Sequence, residues 1–253
     1  MSDETEDERA RRLLTRQEQV NLPKRFYKQV SVAPAEGGFE VQLDGRSVKT
    51  PLKRALVMPG EPMAQAVADE WDAQETHIDP TAMIITRLAN TVIDRVAGDE
   101  ARIVNEIVQF SASDMVCYRA DTPDSLVGRQ GAQWDPVLDW AHQTLGCRFI
   151  CVAGVMHQAQ PESSLEKLRA ALTVESPWRL TAIHNMTTLT GSALVAMKLA
   201  AGALDPETAW SAAHVDEDWQ IEQWGEDDVA RARRQFRKAD FDATVRFLEM
   251  CPG

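Results

Sequence analysis

The stretch His214-Val-Asp-Glu-Asp-Trp-Gln-Ile-Glu-Gln-Trp-Gly225 constrains this chain most. Trp210, His214, Glu217, Ile221 and Trp224 are spaced by four, three, four and three, which puts them on one face of a helix. Ala212, Val215 and Trp219 form a second apolar line on roughly the opposite face. A surface helix has one apolar stripe; a helix with two is covered on both sides or offers one side to a partner. Glu217 sits within the first stripe, flanked by Asp216 and Asp218, although carboxylates are rarely buried unless paired. Gly225 ends the helix, and Glu226-Asp227-Asp228 starts the next. The stretch reads as a Trp-rich, acidic, central helix.

The 253 residues, 44% of them hydrophobic, suffice for one large domain or two modest ones. With 27 Lys plus Arg against 39 Asp plus Glu, the formal net charge is -12. Such a surface repels phosphate backbones and anionic membranes, so no nucleic-acid partner is expected and basic or mixed faces are favoured. Four cysteines are too sparse for a disulfide scaffold. The acidic start Met1-Ser-Asp-Glu-Thr-Glu-Asp-Glu8 matches neither a signal peptide nor a mitochondrial presequence. The long apolar run Leu189 to Leu204 is interrupted by Lys198 and is too short to span a bilayer. The expectation is a soluble cytoplasmic protein with no membrane insertion, monomeric when free.

Three segments follow. Residues 1–21 are charge-dense with few apolar anchors and read as a frayed or mobile helix. Residues 22–80 read as a β-rich domain with one helix. Phe26 to Val32, Phe39 to Leu43 and Ser47 to Thr50 alternate in part, with turn signals at Gly37-Gly38 and Asp44-Gly45. Ala55 to Met58 adds a short strand, and Pro62 to Gln74 reads as the helix. Residues 81–253 read as a helical domain, with helices over Met83–Val96, Asp99–Ser113, Ser125–Leu145, Ser163–Leu172 and Glu226–Met250. Pro136 marks a kink or break in the third of these. Cys147 to Val152 reads as a lone short strand or extended link. Ser176-Pro177 opens one helix running to Ala201, apolar nearly all round and hence the axis of a bundle. Asp205-Pro206-Glu207 opens another that runs on through the Trp-rich stretch. The fold class expected is α+β, a small antiparallel β-rich domain followed by a larger mainly α-helical bundle.

Few residues point to catalysis. Cys147 and Cys151 with His142 and His157 lack the tight spacing of a zinc site, and the segment between the cysteines is apolar. His184 precedes Thr187, Thr188, Thr190 and Ser192, but buried helix hydroxyls usually bond back to the preceding turn. No Gly-rich phosphate loop and no His-Glu-x-x-His occurs. No catalytic residue, metal or cofactor is therefore expected. Asp216, Glu217, Asp218 and Glu222 read as a solvated acidic edge plus one buried pair with an arginine, balanced by Arg231, Arg233, Arg234, Arg237 and Lys238. Seven tryptophans, several beside acids, suit a binding protein better than an enzyme.

An ordered set of segments resembles the ATP12 family, assembly chaperones of the F1 sector of ATP synthase. The set comprises Arg25-Phe-Tyr, Leu43-Asp-Gly-Arg-Ser-Val-Lys-Thr-Pro51, Ala68-Asp-Glu-Trp-Asp72, Thr86-Arg-Leu-Ala-Asn-Thr91, Trp134-Asp-Pro136, Leu189-Thr-Gly-Ser192 and Asp216 to Gly225. The resemblance implies a two-part architecture and a protein that holds the newly made F1-ATPase α subunit, shielding its subunit-contact surface until β replaces it. It implies no catalysis or cofactor, and functional positions at Trp71 and at Asp216, Glu217 and Asp218; with their acidic and aromatic neighbours Glu70, Trp219, Glu222 and Trp224 these make up the expected partner-binding set. Asp216 and Asp218 stand where the family often has Glu, which keeps charge but shortens reach. Trp71, aligned with Met63 and Val67, also suits a packing role. The acidic start points to a bacterial member rather than a mitochondrial one. Two other functions compete: a small-molecule enzyme with a site around the helix of His184, and a general holdase without a fixed client.

Overall fold

The computed structural model describes residues 22–154 and 156–252, and the charged segment 1–21 lies outside them. The chain divides into two compact units, one up to Arg87 and one from Leu88. The first holds an antiparallel sheet and the second is mainly helical, the α+β class expected.

In the first unit, β1 (Val30–Ala35) and β2 (Gly38–Leu43) form a hairpin with Val32 opposite Val41. Asp44 and Gly45 carry positive φ of 49° and 77°, the left-handed pair that a tight two-residue hairpin turn requires, and lead into β3 (Arg46–Ser47). The Asp44 carboxylate also accepts from the backbone N–H groups of Lys28 and Gln29, fixing the chain before β1 to this turn. β4 (Val57–Met58) pairs with the start of β2, Phe39 opposite Met58. A Cβ at Gly38 would stand 2.0 Å from the Met58 carbonyl oxygen, so glycine is needed where these strands meet. The sheet alone is too small to be stable, and α1 (Glu61–Asp72) packs on it through buried Met63, Ala64, Val67 and Ala68. α2 (Ile84–Thr91) follows and continues as a π-turn through Val96.

The second unit comprises α3 (Glu100–Ser111), α4 (Asp124–Leu145), α5 (Glu162–Thr173), α6 (Pro177–Thr190), α7 (Ala193–Ala200), α8 (Pro206–Ala213), α9 (Val215–Trp224) and α10 (Asp228–Glu249). α6 and α7 form its axis: α3 and α10 pack on α6, and Ala193 to Leu199 are all buried.

The single helix expected from Ser176 to Ala201 is two. Gly191, at φ 71°, ends α6, and the Ser192 hydroxyl accepts from Val195 N–H to start α7. Asp114 completes the cap by accepting from Leu194 N–H at 3.0 Å. The helix expected through the Trp-rich stretch is also two, broken at His214. The Trp134 indole donates to the Ala212 carbonyl at 2.7 Å, and His214 Nδ1 bonds the Trp210 carbonyl at 2.8 Å. Side chains have thus taken carbonyls that a continuous helix would use itself. Pro136, in contrast, breaks nothing: α4 runs through it for 22 residues. The extended link after Cys147 has a strand partner, since β5 (Tyr118–Arg119) pairs in parallel with β6 (Val152–Ala153). Among the described residues no helix is long and apolar enough to cross a membrane.

Candidate functional site

The break at His214 decides what the Trp-rich stretch can present. Trp210 and His214, with ring centroids 3.9 Å apart and planes tilted by 34°, are buried. Burial lowers the His214 pKa, against the hydrogen bond to the Trp210 carbonyl that favours the charged ring. From Val215 onward exposure rises, and Trp224 at the end of α9 is 73% exposed. The first apolar stripe therefore runs from the core out to solvent. Trp219, on the second line, is half-buried, and its indole N–H donates to Ser125 Oγ at 3.2 Å. The Trp219 and Trp224 rings meet edge-on with centroids 5.5 Å apart, so one aromatic braces the exposed other.

Each acid of the stretch has its own neighbour. Asp216 accepts from Gln130 Nε2 at 2.7 Å. Asp218 pairs with Arg234 of α10 and is the more enclosed acid. Glu222 accepts two hydrogen bonds from Arg129 of α4, at 2.8 and 2.7 Å, which hold its pKa below the usual carboxylate range. Glu217 lies 3.9 Å from His214 Nε2 and remains 42% exposed. Between α4, α9 and α10 the Asp218–Arg234 and Glu222–Arg129 pairs line a groove of about 430 Å³, together with Val215 and Ile221. The stretch thus offers an apolar end, an acidic flank, and arginines already engaged with that flank.

Sequence reasoning named the acids and tryptophans but not Arg129 or Gln130, which lie in α4 and pair with residues 93 and 86 positions later. No local period signals such a pairing. It also passed over Phe236 on α10, 77% exposed, whose only sequence mark is an aromatic among arginines.

Glu70 and Trp71 belong to the first unit. Glu70 is largely buried and accepts from Ile85 N–H, Thr86 N–H and Thr86 Oγ1, each at 2.7 Å, thereby capping the start of α2. Desolvation raises its pKa despite these bonds. Trp71 packs edge-on against Tyr27 at 5.7 Å, and its carbonyl accepts from the Tyr27 hydroxyl at 2.6 Å. Its buried indole N–H has no hydrogen-bond partner among the described residues. Arg25 stacks over Tyr27 and donates to the Asp72 carbonyl at 2.9 Å, closing the end of α1.

The helix of His184 shows the ordinary packing arrangement. Thr181, Thr187, Thr188 and Thr190 each donate to the carbonyl four residues earlier. His184 Nε2 lies 3.0 Å from Glu106, which also accepts from Arg102 at 2.8 Å.

Residues 24–142 match the family described as ATP12 chaperone protein, a span that stops short of α9. A candidate chaperone from Agrobacterium tumefaciens superimposes with a TM-score of 0.86 at 48% identity, over 94% of this chain and 90% of its own. Atp12 from Paracoccus denitrificans is similar at 37% identity and a TM-score of 0.83, over 90% of this chain and 97% of that one. The chain belongs to the ATP12 family. The mitochondrial atp12 protein of Schizosaccharomyces pombe is 25% identical over 214 residues, 80% of this chain and 74% of its own.

Proposed function

We propose that this ATP12 chaperone serves ATP synthase assembly in the bacterial cytoplasm by binding the unassembled F1 α subunit and shielding its subunit-contact surface until β replaces it. One observation carries the reading: Trp224, 73% exposed, stands on Trp219 at the end of an acidic helix. A large exposed aromatic braced by a second one is the kind of anchor that dominates protein–protein binding, because it buries much area at low entropic cost.

The acids around it set orientation and on-rate toward basic groups on the client. Glu222 is bound by Arg129 at an exposed position, where an ion pair contributes little to stability and exchanges readily with a client cation. Such exchange gives binding that is firm and yet releasable. Asp216, Glu217, Asp218, Trp219 and Glu222 form the flank in this reading. Glu70 and Trp71 act within the first unit.

The test is a pull-down from the native host's lysate with the purified protein, followed by mass spectrometry and a salt titration of the complex. Enrichment of the F1 α subunit without β, weakening with salt, supports the reading. Many unrelated proteins would make it a general holdase, and no α subunit at any salt would sink the proposal.

A further inference from the structure

Cys117 closes the short turn Met115–Cys117 and directly precedes β5, while Cys151 directly precedes β6. The parallel register sets Tyr118 opposite Val152 and Arg119 opposite Ala153, so the preceding pair in that register is Cys117 and Cys151. Neighbouring strands lie about 4.8 Å apart, within the roughly 4.4–6.8 Å Cα separation a disulfide accepts. The two side chains are near enough for Cys151 to help raise the Cys117 pKa. Both cysteines are free; Cys117 is buried and Cys151 exposed. The other two thiols are engaged elsewhere: Cys147 donates to the Ser164 carbonyl and Cys251 to the Phe247 carbonyl, each at 3.3 Å.

We propose that Cys117 and Cys151 form a peroxide-responsive pair that closes to an intrachain disulfide. The roles follow from access. Burial and the nearby Asp114 carboxylate keep the Cys117 thiol protonated, so it does not meet the oxidant first. The exposed Cys151 thiol gives up its proton as its sulfur attacks one oxygen of hydrogen peroxide, and the O–O bond breaks. The departing hydroxide takes up a proton to become water, leaving Cys151 as a sulfenic acid. Cys117 sulfur then attacks Cys151 sulfur; the S–O bond breaks, and the hydroxyl leaves as water with the proton that Cys117 gives up. Two thiols and one peroxide become one disulfide and two waters, the sulfurs losing the two electrons that the peroxide gains. The bridge ties the extended segment ahead of α5 to the turn whose Asp114 caps α7.

The experiment treats the reduced full-length protein with hydrogen peroxide, alkylates the remaining thiols and maps peptides under non-reducing conditions. Expected is the loss of two of the four thiols and one cross-linked peptide joining Cys117 to Cys151, both reversed by dithiothreitol. In Cys117→Ser, dimedone should capture Cys151 as a stable sulfenic adduct that the wild-type chain does not accumulate. A Cys147–Cys151 bridge, a bridge between chains, or a free Cys117 beside fully oxidised Cys151 would each overturn the proposal. The wild-type map decides the matter even where a variant folds poorly.

Discussion

Arg129 on α4 donates to both carboxylate oxygens of Glu222 on α9, at 2.8 and 2.7 Å, in the groove also lined by Val215 and Ile221. The pair is exposed on both sides, so its geometry is good while water screens its energy. Glu222→Lys should leave the melting temperature nearly unchanged and weaken client binding, with a flatter dependence on salt. The exchanged pair, Arg129→Glu with Glu222→Arg, should keep the fold equally well but not restore binding. Recovery of affinity in the exchanged pair would show that the position of the ion pair matters and not the sign of charge on α9. Thermal melts and titration calorimetry at two salt concentrations separate the two.

Two tryptophans of one chain should behave oppositely. Trp224→Ala removes an exposed ring and should lower client affinity by about thirtyfold or more, a loss of about 2 kcal/mol or above, with no loss of stability. Trp134→Ala removes a buried ring and the indole that holds the Ala212 carbonyl, and should cost about 3–5 kcal/mol of folding stability. Denaturant melts read the second and binding isotherms the first. A stability loss in Trp224→Ala would remove the case for it as a contact residue.

These contrasts also show what the sequence reveals and what it conceals. Asp44-Gly45 and Ser176-Pro177 act locally, through turn and cap chemistry, and each does in the fold what its residue types dictate. The Gly191 break was equally local, since a Gly followed by Ser is both a helix end and a new N-cap, but the apolar run on either side hides it. The break at His214 is different. It depends on an indole 78 positions earlier, and no period within the stretch carries that information. The same holds for the acids: their clustering is plain from residues 216–222, whereas the partners Gln130, Arg234 and Arg129 come from α4 and α10.

Glu217 sits between two roles, 3.9 Å from buried His214 and 42% exposed at its own side chain. Glu217→Lys should weaken client binding by on the order of 2–5 kcal/mol if the acid is desolvated against a client cation. It should lower the melting temperature only modestly, because His214 keeps its bond to the Trp210 carbonyl. A large stability loss with unchanged affinity of the folded fraction would instead make Glu217 a structural acid.

Glu70 should act first through the fold. Glu70→Ala strands the Ile85 and Thr86 donors at the start of α2 and should cost about 1–3 kcal/mol. Glu70→Gln keeps one acceptor oxygen and should cost less. Urea melts give the ranking. A Gln variant that folds normally but no longer captures client would assign Glu70 a direct contact.

Asp114 supplies a pH signature with a definite sign. Its carboxylate is wholly buried and accepts from Val116 N–H and Leu194 N–H, and the Ser192 side chain also favours its charged form. Burial nevertheless outweighs these bonds and lifts its pKa to about 6. An unfolded aspartate titrates near 4, so between about pH 4 and pH 6 the folded chain holds a proton that the unfolded chain has released. Stability from this group is therefore full below pH 4 and falls as the pH rises through 6. Asp114→Asn abolishes the titration and leaves every other carboxylate in place, so the difference between the two proteins isolates the site. The stability advantage of wild type over Asp114→Asn should be larger at pH 4 than at pH 7, by up to about 3 kcal/mol. Paired urea melts across that range measure it. An advantage that grows toward pH 7 would mean that the capping hydrogen bonds prevail over burial, and that Asp114 is a stabilising anion at the head of α7.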